Sequence, residues 1–475
     1  MPTLPFLGRK PGTVPSAQAD AGRSPLRRDE SERLLAGWGR TSPSLARVRT
    51  IETAAQAAEA VRESGSRGML ARGLGRSYGD AAQNAGGCVL DLRDLSTIAL
   101  DANTGRVTVG AGASLDAVMR AIVPRGFFVP VTPGTRMVTV GGAVAADIHG
   151  KNHHVDGSFG SHVVTLRLVD GLGQERELRP EGASAEEFWA TVGGMGLTGV
   201  ILEATFDAIP ITSSRMRVDT ERADDLDDVM ARMVARDDQY RYSVAWIDTI
   251  AASGRGVITR GDHAPVEMLP ADQRATALAF APKPLATVPA IVPSGLLNRL
   301  TVQAFNEAWF RKAPRQRSDE LQSIGAFFHP LDGVQEWNRG YGPAGFLQYQ
   351  FVVPDSASDI VSIALQSLRK IGAPSFLTVL KRFGPANPAP LSFPMPGWTL
   401  AADVPATVPG LGAALDRLDE LVAAAGGRLY LAKDSRQSPE VLARTYPRLG
   451  QWQAVRDRMD PRGVFTSDLA RRLSL

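Results

Sequence analysis

The 475-residue chain has one cysteine, Cys88, so it can form neither an intrachain disulfide nor a multi-cysteine metal site. It has no apolar run of about 18 residues, the length a membrane-spanning helix needs, and no such helix is expected. Its charges nearly cancel: 53 Lys and Arg against 50 Asp and Glu leave a formal net charge of +3. With no basic cluster interleaved with aromatics, that balance argues against nucleic-acid binding. Both common nucleotide fingerprints are missing. There is no GxxxxGK[ST], and the nearest approach to GxGxxG, in ARGLGRSYGD (Ala71–Asp80), has Tyr78 in the place of the third glycine. Met1–Arg33 lacks the apolar core of a signal peptide, and its Arg27–Arg28 pair is followed by DESERLL. Rich in Pro, Gly, Ser and Arg, this segment is expected to be a flexible tail.

What the chain does have is glycine in clusters. Ala71–Asp80 follows a short apolar run and holds Gly73, Gly75 and Gly79. Glycines let a backbone turn with positive φ and approach a ligand closely. The amides of such a turn, with Arg72, Arg76 and the Ser77 hydroxyl nearby, suit phosphate oxygens. Pro133–Gly150, PGTRMVTVGGAVAADIHG, is dominated by small residues against which a planar group can lie, and Val192–Val200 reads VGGMGLTGV. Three such segments separated by strand-like runs suggest one extended diphosphate-containing cofactor held by several loops. Three independent surface turns are the simpler alternative.

The length implies two domains. Up to about Pro210, short strands (Val89–Leu92, Val107–Val109, His162–Val169) alternate with helices, among them Ser114–Val123 with Ser114 as its N-cap and Pro124 just past its end. An acidic amphipathic helix is expected over Ala223–Arg236, a new sheet from Tyr240–Asp248, and a late strand over Arg428–Ala432. The expected boundaries are a tail over 1–33, a cofactor domain over 34–210, a substrate domain over 211–424 and a returning segment over 425–475. Ala279–Leu300 is apolar but broken by Pro282, Pro284, Pro289 and Pro293, which rules out a long helix or central strand. It reads either as a buried connection or as an exposed apolar loop that meets a membrane or lipid, with Lys283 and Arg299 at its flanks.

The order ARGLGRSYGD, PGTRMVTVGGAVAADIHGKNHH, FWATVGGMGLTGVI resembles the FAD-dependent oxidases of the vanillyl-alcohol oxidase / p-cresol methylhydroxylase class. Within that class HGKNHHVDGSFG (His149–Gly160), LKRFGPANPAPLSFPMPGW (Leu380–Trp398) and RLYLAKDSR (Arg428–Arg436) are similar to the decaprenylphosphoryl-β-D-ribose 2′-oxidase family. The resemblance implies an α+β, two-domain PCMH-type FAD-binding fold whose substrate domain is built on an antiparallel sheet. It implies noncovalent FAD and oxidation of the ribose 2′-hydroxyl to a ketone on the route to the arabinose donor of cell-wall arabinan. An NAD(P)H-dependent ketoreductase would complete the epimerisation. A peripheral position at the inner membrane, on the periplasmic side, is also implied, with a cytoplasmic location as the alternative.

Carried over by motif, the cofactor contacts are Ala71, Arg72, Gly73, Leu74, Gly75, Arg76, Ser77, Tyr78, Gly79, Asp80 and Ala81 in the first loop. Gly134, Thr139, Val140, Gly141, Gly142, Ala146, Asp147, Ile148 and His149 continue them, and Ile201 and Tyr430 complete them. Lys433, His149, Gln350 and Tyr78 are the candidate catalytic residues. Lys433, Gln350, Gln348, Lys381 and Ala401 are the candidate substrate contacts. A lysine in a dry pocket either accepts a proton or stays charged and orients substrate, and an exposed strand-end lysine is the plainer reading of Lys433. His153 and His154 follow His149, but no carboxylate or cysteine completes a ligand set, so no metal is expected. Some relatives carry a cysteine shortly after PGW. Ala401 stands there in this chain, so an inhibitor that captures that thiol should lose its covalent step. A soluble-sugar aldonolactone or alditol oxidase is the competing enzyme, and a non-catalytic flavin- or polyprenyl-phosphate-binding protein is the competing class.

Overall fold

Residues 346–353, FLQYQFVV, alternate so that Gln348 and Gln350 share one strand face and Tyr349 and Phe351 the other. The computed structural model, which describes residues 30–293 and 295–475, sets this strand in an eight-stranded sheet. The strand order is Gln316–Ser323, Arg215–Ala223, Gly256–His263, Tyr242–Ile247, Thr378–Phe383, Gly397–Pro405, Phe346–Val353, Arg428–Leu429. Every pairing in it is antiparallel. One face is sealed by the amphipathic helices Leu226–Arg236, Asp359–Lys370 and Leu411–Ala424. Their Val229, Leu365 and Leu418 pack on Ala245, Phe351 and Leu400. The opposite face carries Val244, Trp246, Gln348, Gln350, Val379, Lys381 and Ala401, and it fronts the cavity described below.

Two smaller sheets make the other wall. In one, Ser44–Thr50 and Met69–Arg72 both run parallel to Cys88–Asp91. The other is antiparallel, in the order Ile98–Asp101, Arg106–Gly110, Val200–Asp207, Val163–Val169, Glu175–Leu178. The helix Leu115–Ile122 is capped by Ser114, whose hydroxyl accepts from the Ala117 amide, and it runs into a 3₁₀ turn at Val123–Arg125 that contains Pro124. The C-terminal helices bury Leu442, Trp452 and Leu469 in the same core as Leu70, Val144 and Val192. The architecture is α+β.

Several local expectations need correction. Residues 1–29 of the expected tail lie outside the described residues, but Glu30–Leu35 is a strand paired with Ser44–Thr50. The helix expected over Ala223–Arg236 begins at Leu226, because Asp225 caps it and Ala223 still pairs with Gly256. The second sheet therefore starts at Arg215, not Tyr240. His162 ends a 3₁₀ turn before its strand. The strand expected over Arg428–Ala432 stops at Leu429: the amides of Lys433 and Asp434 both return to the Tyr430 carbonyl, which closes a turn.

Among the described residues of Ala279–Leu300 only Ala286–Thr287 and the start of the helix Arg299–Lys312 are regular. Leu285 and Ile291 are 89% and 91% exposed, and Phe305 and Trp309 stack on the partly exposed helix face beyond. The segment is therefore exposed and not a buried connection. Among the described residues no helix is long and apolar enough to cross a membrane.

Candidate active site

The strand Met69–Arg72 delivers the chain into the glycine-rich loop at the bottom of a cavity of about 690 Å³. Gly75 has φ of +63°, and a Cβ on Gly73 would lie 2.1 Å from the Thr139 hydroxyl, so the first two glycine segments touch only because this side chain is absent. The backbone N–H groups of Gly73, Leu74, Gly75, Arg76 and Ser77 find no acceptor among the described residues. These residues are half-buried and line the cavity, and a run of unpaired amides in such a loop is a cradle for phosphate oxygens. Arg76 adds positive charge. Its guanidinium lies 3.8 Å over the Trp38 ring, and its Nε is buried without a partner. Gly141, Gly142, Ala145 and Ala146 floor the space beyond, beside Ile201 and Tyr430. This wall fits a diphosphate with a planar group at its end.

Most of the expected cofactor residues line this cavity: Ala71 through Tyr78, Ala81, Gly134, Thr139, Gly141, Gly142, Ala146, Ile148, His149, Ile201 and Tyr430. Five differ in how they serve it. The Arg72 guanidinium turns away to the carbonyls of Ala82 and Ala36, so it braces the loop rather than meeting phosphate. Val140 is core. Gly79 packs against the Asp434 carbonyl, and Asp80 pairs with Arg472. Asp147 is fully buried and accepts hydrogen bonds from Ser158, Gly160, Asn387 and Ser392. It ties the HGKNHH segment to the 387–392 loop and does not face the cavity.

Where the cradle meets the eight-stranded sheet, the polar groups converge. The imidazole of His149 is gripped at both ends: Lys381 Nζ lies 3.0 Å from Nδ1, and the Gln350 side-chain amide 3.0 Å from Nε2. Gln350 also donates to Thr399 Oγ1 at 3.2 Å. Burial, with help from the charge of Lys381, holds His149 well below its usual pKa, so the ring is neutral. Lys433, in the turn after the last strand, places Nζ 3.7 Å over the Tyr78 ring. The Tyr78 hydroxyl accepts from Gln348 at 3.3 Å. Ala401 pairs with Gln350 across the sheet and lines the same wall. The structure thus brings Tyr78, His149, Gln348, Gln350, Lys381, Ala401 and Lys433 together around one space. His153 instead accepts from the Gly384 amide, and His154 meets the carbonyls of Asp237 and Tyr240. Among the described residues no group of three His, Cys, Asp or Glu is placed to hold a metal.

Sequence reading missed several residues here. Lys151 lines the cavity, donates to the Phe327 carbonyl at 2.6 Å, and is desolvated until its pKa falls to about 7. In HGKNHH it is one polar residue among three histidines, and nothing local marks it as enclosed. Trp38 and Trp337 also line the cavity, and Asp403 lies behind it next to Gln348. The loop at Thr132–Arg136 is clasped by His329 on Thr132, and by Asp332 on the Thr135 hydroxyl and the Arg136 amide.

Three lysines enclosed in one cavity have a measurable consequence. Burial lowers Lys151 and Lys381 from 10.5 to about 7 and pushes Lys433 down as well. The unfolded chain takes up protons on these amines as pH falls through 10.5, while the folded, FAD-free protein does not until near 7. Their contribution therefore destabilises the fold progressively as pH drops from 10.5 to 7, and changes little below that. The thermal midpoint of FAD-free protein should rise between pH 7 and 9, and Lys381→Met should flatten the rise. A midpoint that falls over that range contradicts the enclosure of these amines.

Residues 45–179 match the family model of an FAD binding domain, and residues 411–473 match that of D-arabinono-1,4-lactone oxidase. The chain is 46% identical over 449 residues to decaprenylphosphoryl-beta-D-ribose oxidase of Mycolicibacterium smegmatis, covering 93% of this chain and 97% of that one. An uncharacterized protein of Streptomyces coelicolor is 41% identical over 76% of this chain and all of its own length. L-gulono-1,4-lactone dehydrogenase of Mycobacterium tuberculosis is 23% identical over 88% of this chain and 94% of that one.

Proposed function

The chain belongs to the decaprenylphosphoryl-β-D-ribose oxidase family of FAD-dependent oxidoreductases, and on that premise we propose that it oxidises the ribose 2′-hydroxyl of decaprenylphosphoryl-β-D-ribose to the 2′-ketone. One observation carries the reading: the wall of the cavity changes character along a single sheet face. Gln350, Lys381 and the neighbouring Lys433 give way through Ala401 and Val379 to Val244, Trp246 and Val257, with Trp309 of the helix Arg299–Lys312 beside them, before the outer strands turn polar at Thr259, Thr220 and Gln322. A polar, cationic end that passes into an apolar track suits a sugar phosphate with a long hydrocarbon tail. A soluble lactone would leave the track unused.

FAD, when bound, supplies the two-electron acceptor for the hydride leaving the 2′ carbon. The Gly73–Ser77 amides and Arg76 would hold its diphosphate, and the small residues Gly141, Gly142 and Ala146 would leave room for its ring system. Lys433 holds or takes the hydroxyl proton as the C–O bond becomes C=O. Gln350 positions the ribose, with His149 fixed behind it, and Lys381 and Lys151 offer charge to the substrate phosphate. The doubly engaged, neutral His149 has no open ring nitrogen, in keeping with noncovalent FAD. Protein precipitated with acid should release all its flavin, and flavin that stays on the chain would refute this.

Anaerobic mixing with a polyprenyl-phosphoryl ribose should bleach the flavin, while aldonolactones and free pentoses should not. Bleaching by L-gulono- or D-arabinono-lactone instead would establish the lactone-oxidase reading, which the match over residues 411–473 favours. The ketone product calls for an NAD(P)H-dependent reductase to finish an epimerisation. NADPH consumption that needs both proteins and the substrate would reveal that partner. The exposed Leu285, Ile291, Leu296 and Leu300, flanked by Lys283 and Arg299, are the surface we assign to membrane contact, where a lipid substrate resides. Failure to sediment with anionic vesicles would remove that assignment.

A further inference from the structure

Behind Lys433, off the cavity wall, lies a carboxylate that the oxidation as described does not use. Asp403 is fully buried near the end of the strand Gly397–Pro405 and is register-paired with Gln348 on Phe346–Val353. Its Oδ1 accepts a hydrogen bond from the Gln348 amide, whereas Oδ2 is buried with no hydrogen-bond partner. The same Gln348 nitrogen donates to Tyr78, over whose ring Lys433 sits. Two adjacent strands, the glycine-rich loop and the turn at 430–434 therefore close one small cluster: carboxylate, amide, phenol and amine.

A buried carboxylate with a bare oxygen is costly unless a cation faces it or a proton sits on it. The cation whose charge reaches it is Lys433, held over the Tyr78 ring: burial pushes the Asp403 carboxyl up and the Lys433 amine down, and each partly offsets the other. The other titratable groups packed on Asp403, Tyr78 and Tyr341, are held above their usual pKa by burial and stay neutral. On the cavity side, Lys433 is faced by Lys381 and His149, neither of which supplies negative charge. We propose that Asp403 is a positioning residue for the oxidation, acting through Lys433 by deciding when that amine carries its proton. The proposal rests on Lys433 being the amine that meets the substrate hydroxyl.

The sign of its effect does not depend on how Lys433 works. If the neutral amine accepts the proton, the rate of flavin reduction rises with pH through the amine's titration. If the charged amine orients the hydroxyl, the rate falls through the same titration. Removing the carboxylate in Asp403→Asn keeps an oxygen for Gln348 but makes the amine easier to deprotonate, so either limb moves to lower pH by about one unit or more. Asp403→Glu, which retains the charge, should leave the limb near its original place. A second readout needs no turnover: acylation of Lys433 by an amine-directed reagent, followed by peptide mass spectrometry, reports the fraction of neutral amine, and its pH curve should shift the same way. A lowered rate with both curves in place would make Asp403 merely structural and overturn the proposal. A limb that survives in Lys433→Ala would instead defeat the assignment of Lys433 to the reaction, and the acylation curve of Asp403→Asn would still decide whether Asp403 governs the amine.

Discussion

Lys433→Ala should slow anaerobic reduction of the flavin by polyprenyl-phosphoryl ribose roughly 10²–10⁴-fold, the range a positioned proton acceptor supplies, while the protein stays yellow. The expectation follows from where the amine is held. The turn hydrogen bonds from Lys433 and Asp434 to the Tyr430 carbonyl fix its backbone, and Tyr78 packs beneath its ammonium end. Its side chain lines the cavity on the side where Gln350 and His149 converge. Burial drives its pKa down toward the pH of the reaction, where a base is most effective. Because the glycine-loop amides are untouched by the change, FAD should remain bound. Lys433→Arg separates the two modes: a guanidinium stays charged, so it retains much of the rate if Lys433 only orients, and little if Lys433 takes the proton. A Lys433→Ala protein that keeps FAD and reduces it at the original rate would remove the residue from the mechanism.

The parts of this site that could be read from sequence are those written locally. Glycine clusters declare a close backbone approach wherever they occur, and all three segments reach the cavity. The FLQYQFVV alternation puts Gln348 and Gln350 on one face of the strand whatever sheet it joins. Lys433 stood out by its place in the RLYLAKDSR motif, although the strand expected there ends early because the Tyr430 carbonyl is claimed by a turn. What stayed hidden depends on register and on distant packing. Nothing around Asp403 signals that it will be paired with Gln348, 55 residues earlier. Arg72 looked like a phosphate ligand because residue type was visible, but its carbonyl partners at Ala36 and Ala82 were not. Asp147 likewise reads as part of a cofactor motif, while its work is to collect four donors from two separate stretches of chain. The start of the second sheet was misplaced for a simpler reason. Arg215–Ala223, RMRVDTERA, alternates polar with apolar residues, but it merges with the acidic helix that follows, and only pairing with Gly256–His263 on one side and Gln316–Ser323 on the other identifies it as a strand.

The largest structural effect is expected behind the cavity wall, at Arg472. Its guanidinium forks onto both oxygens of Asp80, at 2.9 and 2.8 Å, and its remaining arm reaches Asp434 at 2.9 Å and the Gln437 carbonyl at 2.9 Å. The side chains of Asp80 and Asp434 are only 13% and 6% exposed. One C-terminal side chain therefore fastens the end of the glycine-rich loop to the turn that carries Lys433. The backbones are already tight there, since a Cβ on Gly79 would fall 2.0 Å from the Asp434 carbonyl. Arg472→Ala leaves two enclosed carboxylates facing each other with no cation between them, and breaking a buried pair in this way costs about 3 kcal/mol or more. The thermal midpoint should fall by several degrees, and FAD should be lost faster on dilution, because the loop we assign to the diphosphate is no longer anchored at Asp80. Arg472→Lys should recover only part of both, since a single ammonium cannot span two carboxylates as the planar fork does. Asp80→Asn combined with Arg472→Ala should be less damaging than Arg472→Ala alone, because it removes half of the stranded negative charge. If Arg472→Ala instead keeps its midpoint and its flavin, the loop is held by packing alone and the clasp is incidental.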